Sequence, residues 1–439
     1  MNPNLGPDNS GLLLPNRRSF LKQSSGALLG AAVAAPYILS SKPVFAANSD
    51  TLKVGLIGCG GRGSGAAAQA LNADSNVMLT AMGDAFEDRL QSSLKTLQTT
   101  AGAKVQVTPE KCFVGFDAFE KVLSSGVDVV ILATPPGFRP MHLKAAIAAG
   151  KHVFCEKPMA VDGPGVRSVL ESAAEAKKKN LSLVSGFCWR YNLGERAIME
   201  RIHDGKIGEI TSLYNTYNTG PLWVHPRKPE WTDMYYQLRN WYYFTWLSGD
   251  HIMEQSVHSL DKMSWAMKDV HPVRCIAHGG RQVRTGQEYG HIFDHFEVVY
   301  EYPDGQRGFH FSRQQANTAM DNSDYIMGSK GIAKIKAFGA LEITGENKWR
   351  FSGDRPDMYQ VEHNELFASI RSGKPINNGD WMASSTLLAL MGRMAAYTGQ
   401  IITYDQALNS QEKLGPSTYT WDTPITVPPV AMPGVTPFI

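Results

Sequence analysis

The chain has 439 residues, of which 43% are hydrophobic, and its 43 Lys and Arg residues nearly balance its 41 Asp and Glu residues. Such a chain is long enough for two or three domains with packed cores, so it is not a disordered protein. It contains no long basic run of the kind that nucleic-acid-binding proteins use. Its five cysteines are odd in number and sparse and include no C-x-x-C pair, so they indicate neither a disulfide scaffold nor a structural zinc site.

Residues 1–46 resemble a twin-arginine export signal. Arg17 and Arg18 are followed by a segment, 23–41, that is uncharged and rich in Ala, Gly and Leu. This segment also contains Ser, Gly and Pro, so it matches a membrane-spanning helix less well, because such a helix needs about 20 predominantly apolar residues. We expect export in the folded state by the twin-arginine machinery, cleavage near Ala46, a periplasmic location and no stable membrane span after cleavage.

The segment 47–187 predicts an NAD-binding Rossmann domain with a doubly wound parallel sheet. A short apolar strand, 52–57, is followed by a glycine-rich turn and a helix from Ser64, and a second strand, 77–83, ends at Asp84. Strands and helices then alternate, which is typical of a parallel sheet. Further helices are predicted at 116–124, 140–149 and 165–180, and further strands at 127–133, 151–155 and 181–186.

The pattern changes after residue 187, and 188–380 predicts a substrate-binding and oligomerisation domain of the α+β class. Its amphipathic strands, from Val273 onward, indicate an open, mostly antiparallel sheet with one solvated face. The last segment, 381–439, is expected to be a helix and a tail that pack back on the first domain. The elements predicted in this half are helices at 192–204, 362–372 and 381–397 and strands at 209–217, 293–300 and 308–313.

The turn after the first predicted strand carries the dinucleotide-binding pattern G-x-G-x-x-G. Gly58 allows the tight turn, Gly60 lets the backbone approach a pyrophosphate, and Gly63 lets the helix pack closely on the strand. Asp84 stands 21 residues beyond Gly63, where its carboxylate can accept hydrogen bonds from ribose hydroxyls and repel a 2′-phosphate. The motif therefore favours NAD over NADP.

Two further motifs follow, Ala-Thr-Pro-Pro from residue 133 and Glu-Lys-Pro from residue 156. With the glycine motif, they make the mature chain resemble the Gfo/Idh/MocA oxidoreductase family, whose members act mostly on sugars, cyclitols and related polyols. The resemblance implies that Lys157 lies between nicotinamide and substrate and bonds the reacting hydroxyl. Independently, Lys157 lies at the carboxyl end of a parallel strand, where open α/β sheets bind ligands and a desolvated lysine can act as an acid or base. The expected cofactor-binding residues are Gly58, Gly60, Gly61, Arg62, Gly63, Asp84, Thr134, Pro135, His142, Glu156 and Lys157.

A third group of polar residues surrounds His258. Glu254 precedes it by four positions, so on one helix both side chains would project from the same face, with Asp261 one turn further along. The family pattern is similar, but its first position is usually Asp, so Glu254 is a departure. We expect His258 to be the acid/base partner of Lys157 and Glu254 to be a further catalytic group, with His251 as the rival histidine. No fourth ligand is apparent, so no metal site is expected.

Aromatic and basic residues supply the candidate substrate contacts. Trp189 and Arg190 follow the last strand of the nucleotide domain, where the family often presents such side chains to the ligands, although Arg190 is equally suited to pairing with an acidic neighbour. Tyr243 belongs to an aromatic run, 239–246, that would form either a stacking wall for a sugar ring or an interface between subunits or lobes. The expected substrate-binding residues are Trp189, Arg190, Tyr243 and Asp261.

Together these features predict an exported, NAD-dependent oxidoreductase that transfers hydride between a sugar, cyclitol or glycoside and a tightly held cofactor. The cofactor is expected not to dissociate, because the periplasm maintains no NAD pool. One alternative is a redox-neutral, NAD-dependent glycosidase or lyase that works through a transient keto-sugar. Another is a non-catalytic sugar- or cofactor-binding protein, against which the presence of both Lys157 and His258 argues. A homo-oligomer is expected, since open sheet faces in this family often form dimers or tetramers.

Overall fold

The computed structural model describes residues 50–439, so the predicted export signal and its cleavage site lie outside the described residues. The first sheet contains six strands: β1 (Leu52–Ile57), β2 (Val77–Asp84), β3 (Cys112–Val114), β4 (Val129–Leu132), β5 (His152–Cys155) and β6 (Leu183–Ser185). Its order is β3-β2-β1-β4-β5-β6, and every neighbouring pair is parallel. The strand order reverses between β1 and β4, which opens a ligand-binding crevice at their carboxyl ends.

Five helices connect these strands: α1 (Gly61–Ala73), α2 (Glu87–Ala101), α3 (Ala118–Leu123), α4 (Arg139–Ala148) and α5 (Gly163–Lys178). All were expected except α2. It was missed because it buries only Leu90, Ser93 and Leu97 and is otherwise rich in Ser, Thr and Gln, which weakens its apolar periodicity.

The second sheet contains nine strands: β7 (Ile210–Thr219), β8 (Arg274–Gly280), β9 (His295–Glu301), β10 (Arg307–Gln314), β11 (Asp321–Gly328), β12 (Gly331–Lys336), β13 (Leu341–Gly345), β14 (Trp349–Arg350) and β15 (Ile402–Thr403). Their order is β14-β13-β12-β11-β7-β10-β9-β8-β15. Only the β7–β10 pair among them is parallel. Alternate residues of β10 are buried, as expected for a sheet with one covered face. The predicted fold class, a Rossmann sheet followed by an α+β part with a mostly antiparallel sheet, is confirmed.

The helices of this part are α6 (Leu193–His203), α7 (Asp233–Arg239), α8 (Thr245–Ser248), α9 (His251–Glu254), α10 (Val257–Ala266), α11 (Met358–Arg371), α12 (Gly379–Thr398) and α13 (Tyr404–Asn409). Helices α10 and α12 pack on one face of the second sheet, and α11 packs on α1 of the Rossmann sheet. No helix within residues 50–439 has the length and apolar character needed to cross a membrane.

The prediction that Glu254 and His258 share one helix is wrong, because the chain breaks between α9 and α10. The Ser256 N–H bonds the His251 carbonyl, while the Ser256 hydroxyl donates to the Ile252 carbonyl, which a continuing helix would have used for that N–H. A serine hydroxyl that competes for a backbone carbonyl is a common cause of such breaks.

The C-terminal segment contacts the first sheet's helices. Arg167 of α5 donates to the carbonyl oxygens of Leu408 and Ser410, and the Leu414 N–H donates to the Asp162 carboxylate at 3.1 Å. Trp421 then reaches the edge of the Rossmann crevice. The tail therefore lies beside the crevice that the glycine motif faces.

Candidate active site

A cavity of about 760 Å³ opens at the carboxyl ends of the Rossmann strands, a volume typical of small-ligand sites. The second half of the chain closes it from the other side through the α9–α10 break and the segment 220–246. The predicted residues that line it are Gly58, Gly60, Gly61, Arg62, Gly63, Asp84, Thr134, Pro135, His142, Glu156, Lys157, Glu254 and His258.

The glycine turn forms a cradle that fits a dinucleotide pyrophosphate. Gly58 has a φ of +97°, and a Cβ there would lie 2.6 Å from the Ala133 carbonyl carbon. A Cβ on Gly63 would lie 1.9 Å from the Gly58 carbonyl oxygen, so the start of α1 packs closely on the turn. By contrast, a Cβ on Gly60 or Gly61 would meet no atom within 4 Å. The space beside Gly60 and Gly61 at the start of α1 is thus open, as the close approach of a pyrophosphate requires.

The carboxylate of Asp84 is fixed at the end of β2. Its Oδ2 accepts a hydrogen bond from the Cys59 N–H at 2.6 Å, and its Oδ1 accepts one from the Phe86 N–H at 2.9 Å. Burial raises the pKa of Asp84, and the two backbone donors partly offset that effect. Each oxygen keeps a lone pair for a ribose hydroxyl, so the side chain is oriented for the role expected of it.

Arg62 and Glu156 are bound to each other in the cavity wall. The Arg62 guanidinium pairs with the Glu156 carboxylate and also donates to Glu362 of α11 at 2.9 Å and to Gln69 at 2.9 Å. Burial raises the pKa of Glu362 well above its ordinary value. Sequence reasoning missed Glu362, because it lies 300 residues from Arg62 along the chain.

His142 closes another part of the wall. Its Nδ1 lies 3.1 Å from the hydroxyl oxygen of Thr134, and its ring stacks on Phe119 with the ring centroids 4.4 Å apart. Burial lowers the pKa of His142 to about 3, so the ring is neutral at pH 7.

Lys157 and Glu254 form an ion pair inside the cavity. The Lys157 Nζ lies 3.1 Å from Glu254 Oε1 and also donates to the Glu254 backbone oxygen. The two side chains are only 13% and 12% exposed, so water screens this pair weakly. Of the three ammonium donors, two are used by Glu254, and the third is available to a ligand in the cavity.

The His258 side chain lies beside this pair. Its Nδ1 is buried and has no hydrogen-bond partner within the described residues. Burial lowers the pKa of His258 well below its ordinary value, and the charges of Lys157, Lys262 and Arg62 lower it further. The imidazole is therefore neutral at pH 7, and in this environment it holds a proton only weakly. Its rival, His251, is fully buried and does not line the cavity.

Arg190 and Asp261, predicted to bind substrate, do not line the cavity. The Arg190 Nε donates to the Asp261 carboxylate at 3.0 Å, and its Nη2 donates to Asp269 at 2.6 Å. The guanidinium also lies 4.0 Å from the centroid of the Trp381 ring. Both residues are thus core ion-pair partners, which is the second of the two roles weighed for Arg190.

Trp189 and Tyr243 are likewise held away from the cavity. The Trp189 ring packs on Phe338 with a centroid distance of 4.9 Å, and the Lys262 ammonium lies 4.5 Å from its centroid. The Tyr243 hydroxyl donates to the Leu222 carbonyl at 3.1 Å, and the side chain is 1% exposed. These rings are therefore core residues in this structure.

The predicted aromatic run, 239–246, does reach the cavity, but through Arg239 and Trp241 and not through Tyr243. Trp241 and Tyr243 belong to the same 3-10 turn. The way this turn packs places Trp241 in the cavity wall and Tyr243 in the core, which the sequence of the turn alone does not determine. The additional lining residues include Phe86, Arg89, Cys188, Trp223, His225, Leu238, Arg239, Trp241, Gln255 and Tyr359. Within residues 50–439, no group of three or more His, Cys, Asp or Glu side chains is placed to hold a metal ion.

Two family models match the chain. The model of the Gfo/Idh/MocA oxidoreductase family, NAD-binding Rossmann fold, matches residues 52–186, and that of the Gfo/Idh/MocA C-terminal domain matches residues 196–334. Together they span most of the region that carries the two sheets and the cavity.

Individual relatives are distant. An inositol 2-dehydrogenase of Rhizobium meliloti (strain 1021) is 24% identical over 362 residues, which is 80% of this chain and 99% of the relative. A 2,7-anhydro-N-acetylneuraminate hydratase of Escherichia coli (strain K12) is 26% identical over 233 residues, 52% of this chain and 57% of the relative. The crystal structure of an aldose-aldose oxidoreductase from Caulobacter crescentus complexed with glycerol superposes with a TM-score of 0.64 at 19% identity, covering 80% of this chain and 99% of that one. This last similarity supports the fold.

Proposed function

The chain belongs to the Gfo/Idh/MocA oxidoreductase family, and we propose that it oxidises or reduces a sugar or cyclitol with NAD as its cofactor. The observation that carries this proposal is that Lys157, Glu254 and His258 line the same cavity as the glycine turn. An inositol dehydrogenase and an aldose-aldose oxidoreductase among its relatives support a polyhydroxylated substrate.

The glycine turn and Asp84 would hold the cofactor. The turn around Gly60 would take the pyrophosphate, and the oriented Asp84 carboxylate would accept from the adenosine ribose hydroxyls. A negative charge at that position opposes a 2′-phosphate, which is why we favour NAD over NADP. When bound, the nicotinamide ring supplies the hydride acceptor or donor.

Lys157, Glu254 and His258 would handle the proton. When the carbinol carbon loses its hydrogen as hydride, the hydroxyl must lose its proton. Lys157 can accept that proton once its own has moved to Glu254 Oε1, which lies 3.1 Å away. The neutral His258 can accept it only transiently, because burial and the neighbouring positive charges keep its pKa well below the ordinary value. The same groups return the proton during reduction.

A panel assay tests the proposal. Protein denatured after purification is analysed for released nucleotide, and native protein is assayed with myo-inositol, D-glucose and D-xylose, with and without added NAD. We expect NAD in the released fraction and NADH formation with at least one polyol. A nucleotide-free protein that forms no NADH with any polyol when NAD is added would contradict the proposal.

A second candidate is redox-neutral cleavage or hydration of a sugar, and Glu254 beside Lys157 favours it. Oxidation to a ketone acidifies the neighbouring C–H, a base removes that proton, and the leaving group departs with its bonding electrons. Water then adds and the ketone is reduced again, so this route needs an additional acid/base group, and the glutamate provides one. The hydratase among the relatives supports such chemistry. Release of aglycone from aryl glycosides together with unoxidised sugar, without added cofactor, would favour this route.

We also propose export, retention of the cofactor and self-association. Export rests on Arg17 and Arg18 in the sequence. Retention of the cofactor is supported by Arg239, which lines the cavity and joins the segment 220–246 to the Rossmann part. Its guanidinium lies 3.8 Å from the Phe86 ring centroid and pairs with Asp88 at 2.6 Å. Self-association is supported by the outer face of the second sheet, which carries partly exposed apolar residues such as Ile276 and Ile332.

Each of these three proposals has a direct test. The Arg239→Ala variant should release nucleotide several-fold faster than the wild type, whereas Arg227→Ala, which breaks an exposed ion pair with Asp233 in the same segment, should not. Equal release from both variants would refute the role of Arg239. Changing Arg17 and Arg18 to Lys should keep the protein in the cytoplasm. Sedimentation should give a mass above that of one chain.

A further inference from the structure

A buried glutamine amide stands directly behind the cavity wall. Gln314, the last residue of β10, is 1% exposed. Its Oε1 accepts hydrogen bonds from the Tyr242 hydroxyl at 3.0 Å and from the Arg284 guanidinium, and its Nε2 donates to Thr219 at 3.4 Å and to Gln255 Oε1 at 3.1 Å. Both acceptor positions and both donor positions of this amide are therefore used.

Arg284 fixes the polarity of this chain of hydrogen bonds. A guanidinium can only donate, so the atom of Gln314 that faces Arg284 must be its oxygen. The amide nitrogen of Gln314 must then face Gln255, and Gln255 must present its oxygen in return. The orientation of Gln255 thus follows from the donor and acceptor chemistry of Arg284 and Gln314.

The Gln255 amide nitrogen is left over. It has no hydrogen-bond partner within the described residues. It is also not fully buried. Gln255 occupies the break between α9 and α10, directly after Glu254, and lines the cavity. The amide nitrogen is therefore at least partly exposed, at a residue that lines the cavity.

We propose that Gln255 is a substrate-binding residue that donates a hydrogen bond to an acceptor oxygen of the sugar or cyclitol, namely a hydroxyl, ring or carbonyl oxygen. Gln314 and Arg284 are positioning residues that keep the donor pointing into the cavity. A protonated amine at that position of the substrate would place its N–H donors against the N–H donors of Gln255. Sugars that carry an amino group at that position are therefore rejected. The inference rests on the proposed function for the identity of the ligand, but the orientation of Gln255 can be tested without it.

The first experiment measures proton exchange of the side-chain amides by NMR in the ¹⁵N-glutamine-labelled protein. In the wild type, the Gln314 amide protons should be protected and the Gln255 amide protons should exchange rapidly, with Gln255→Leu used to assign the signal. In Gln314→Glu, the carboxylate can still accept from Arg284, but it can only accept, so Gln255 must turn its nitrogen inward and one of its protons should become protected. Protected Gln255 protons in the wild type would overturn the proposal, whether or not Gln314→Glu folds.

The second experiment compares KM values, or inhibition constants, for D-glucose and its 2-amino, 3-amino and 6-amino analogues. If the Gln255 donor is unpaired, replacing the hydroxyl by an amino group at one position should raise the KM or the inhibition constant about 10- to 100-fold in the wild type, and we call this increase the amino penalty. Gln314→Glu should reduce that penalty about tenfold at the same position only, whereas a general effect of the added negative charge would act at all positions. Unchanged penalties at every position in Gln314→Glu would overturn the proposal. If no sugar binds at all, the proposed function fails, and the exchange experiment alone decides the orientation of Gln255.

Discussion

Replacing Gly60 by alanine separates cofactor binding from folding. Gly60 has φ −70° and ψ 179°, a conformation that alanine adopts without strain, and its added Cβ would meet no protein atom within 4 Å. Such a change is expected to leave stability unchanged or to raise it by about 0.4–1 kcal/mol. The new methyl group would, however, project into the space assigned to the pyrophosphate, where overpacking costs about 1–3 kcal/mol. We therefore expect NAD affinity to fall by about 10- to 100-fold.

The matched control is Gly63→Ala. Its Cβ would lie 1.9 Å from the Gly58 carbonyl oxygen, so the backbone itself must shift. We expect a loss of stability above about 4 kcal/mol, with or without cofactor.

Thermal unfolding of nucleotide-free protein, with and without NAD, measures both effects. At an NAD concentration of about 100 times the wild-type Kd, the wild type gains about 2.7 kcal/mol, whereas a variant that binds 100-fold more weakly gains about 0.4 kcal/mol. A Gly60→Ala protein that folds normally and keeps the full stabilisation by NAD would refute the placement of the cofactor.

Three further predictions concern the proton-handling groups and the core. Lys157→Met should lower kcat by about 10²- to 10⁴-fold while NAD binding, measured by calorimetry, is retained. Burial lowers the pKa of His142 to about 3, so as the pH falls the unfolded chain protonates this imidazole before the folded protein does. Above about pH 6.5 the imidazole is neutral in both states and has no effect on the pH dependence of stability. Below that pH, the free energy of unfolding should fall by up to about 1.4 kcal/mol per pH unit until about pH 3. Urea unfolding between pH 7.5 and 5 should therefore show a shallower slope for His142→Asn than for the wild type. Arg190→Met leaves the Asp261 carboxylate buried and unpaired, so it should cost about 3–5 kcal/mol in thermal unfolding and cost less when combined with Asp261→Asn.

Local motifs in the sequence predicted which residues of the Rossmann part line the cavity. The turn from Gly58 to Gly63 and the turn after β5 that carries Lys157 are short segments whose conformation depends mainly on their own residues. Residues expected there all line the cavity. Strand and helix ends in the Rossmann part differed from the predicted ends by at most three residues, since caps and turns blur boundaries.

The side of the cavity formed by the second half of the chain could not be predicted in the same way, because it depends on contacts between distant segments. Arg190 pairs with Asp269, 79 residues away, and this contact removes it from the cavity. Gln255 is oriented by Gln314, which is 59 residues away, and no local pattern marks either glutamine. The break between α9 and α10 likewise depends on Ser256, whose hydroxyl oxygen also lies 3.1 Å from His310 on the second sheet.

Transfer of deuterium to the nicotinamide tests the central claim most directly. Protein loaded with NAD is mixed with myo-inositol, D-glucose or D-xylose deuterated at carbon, the reaction is quenched within the first turnover, and the nucleotide is analysed by mass spectrometry. We predict one deuterium atom on the nicotinamide with at least one of these polyols, and none with Lys157→Met, which should still bind NAD. Conversion of a polyol without deuterium on the nicotinamide would contradict the proposed hydride transfer.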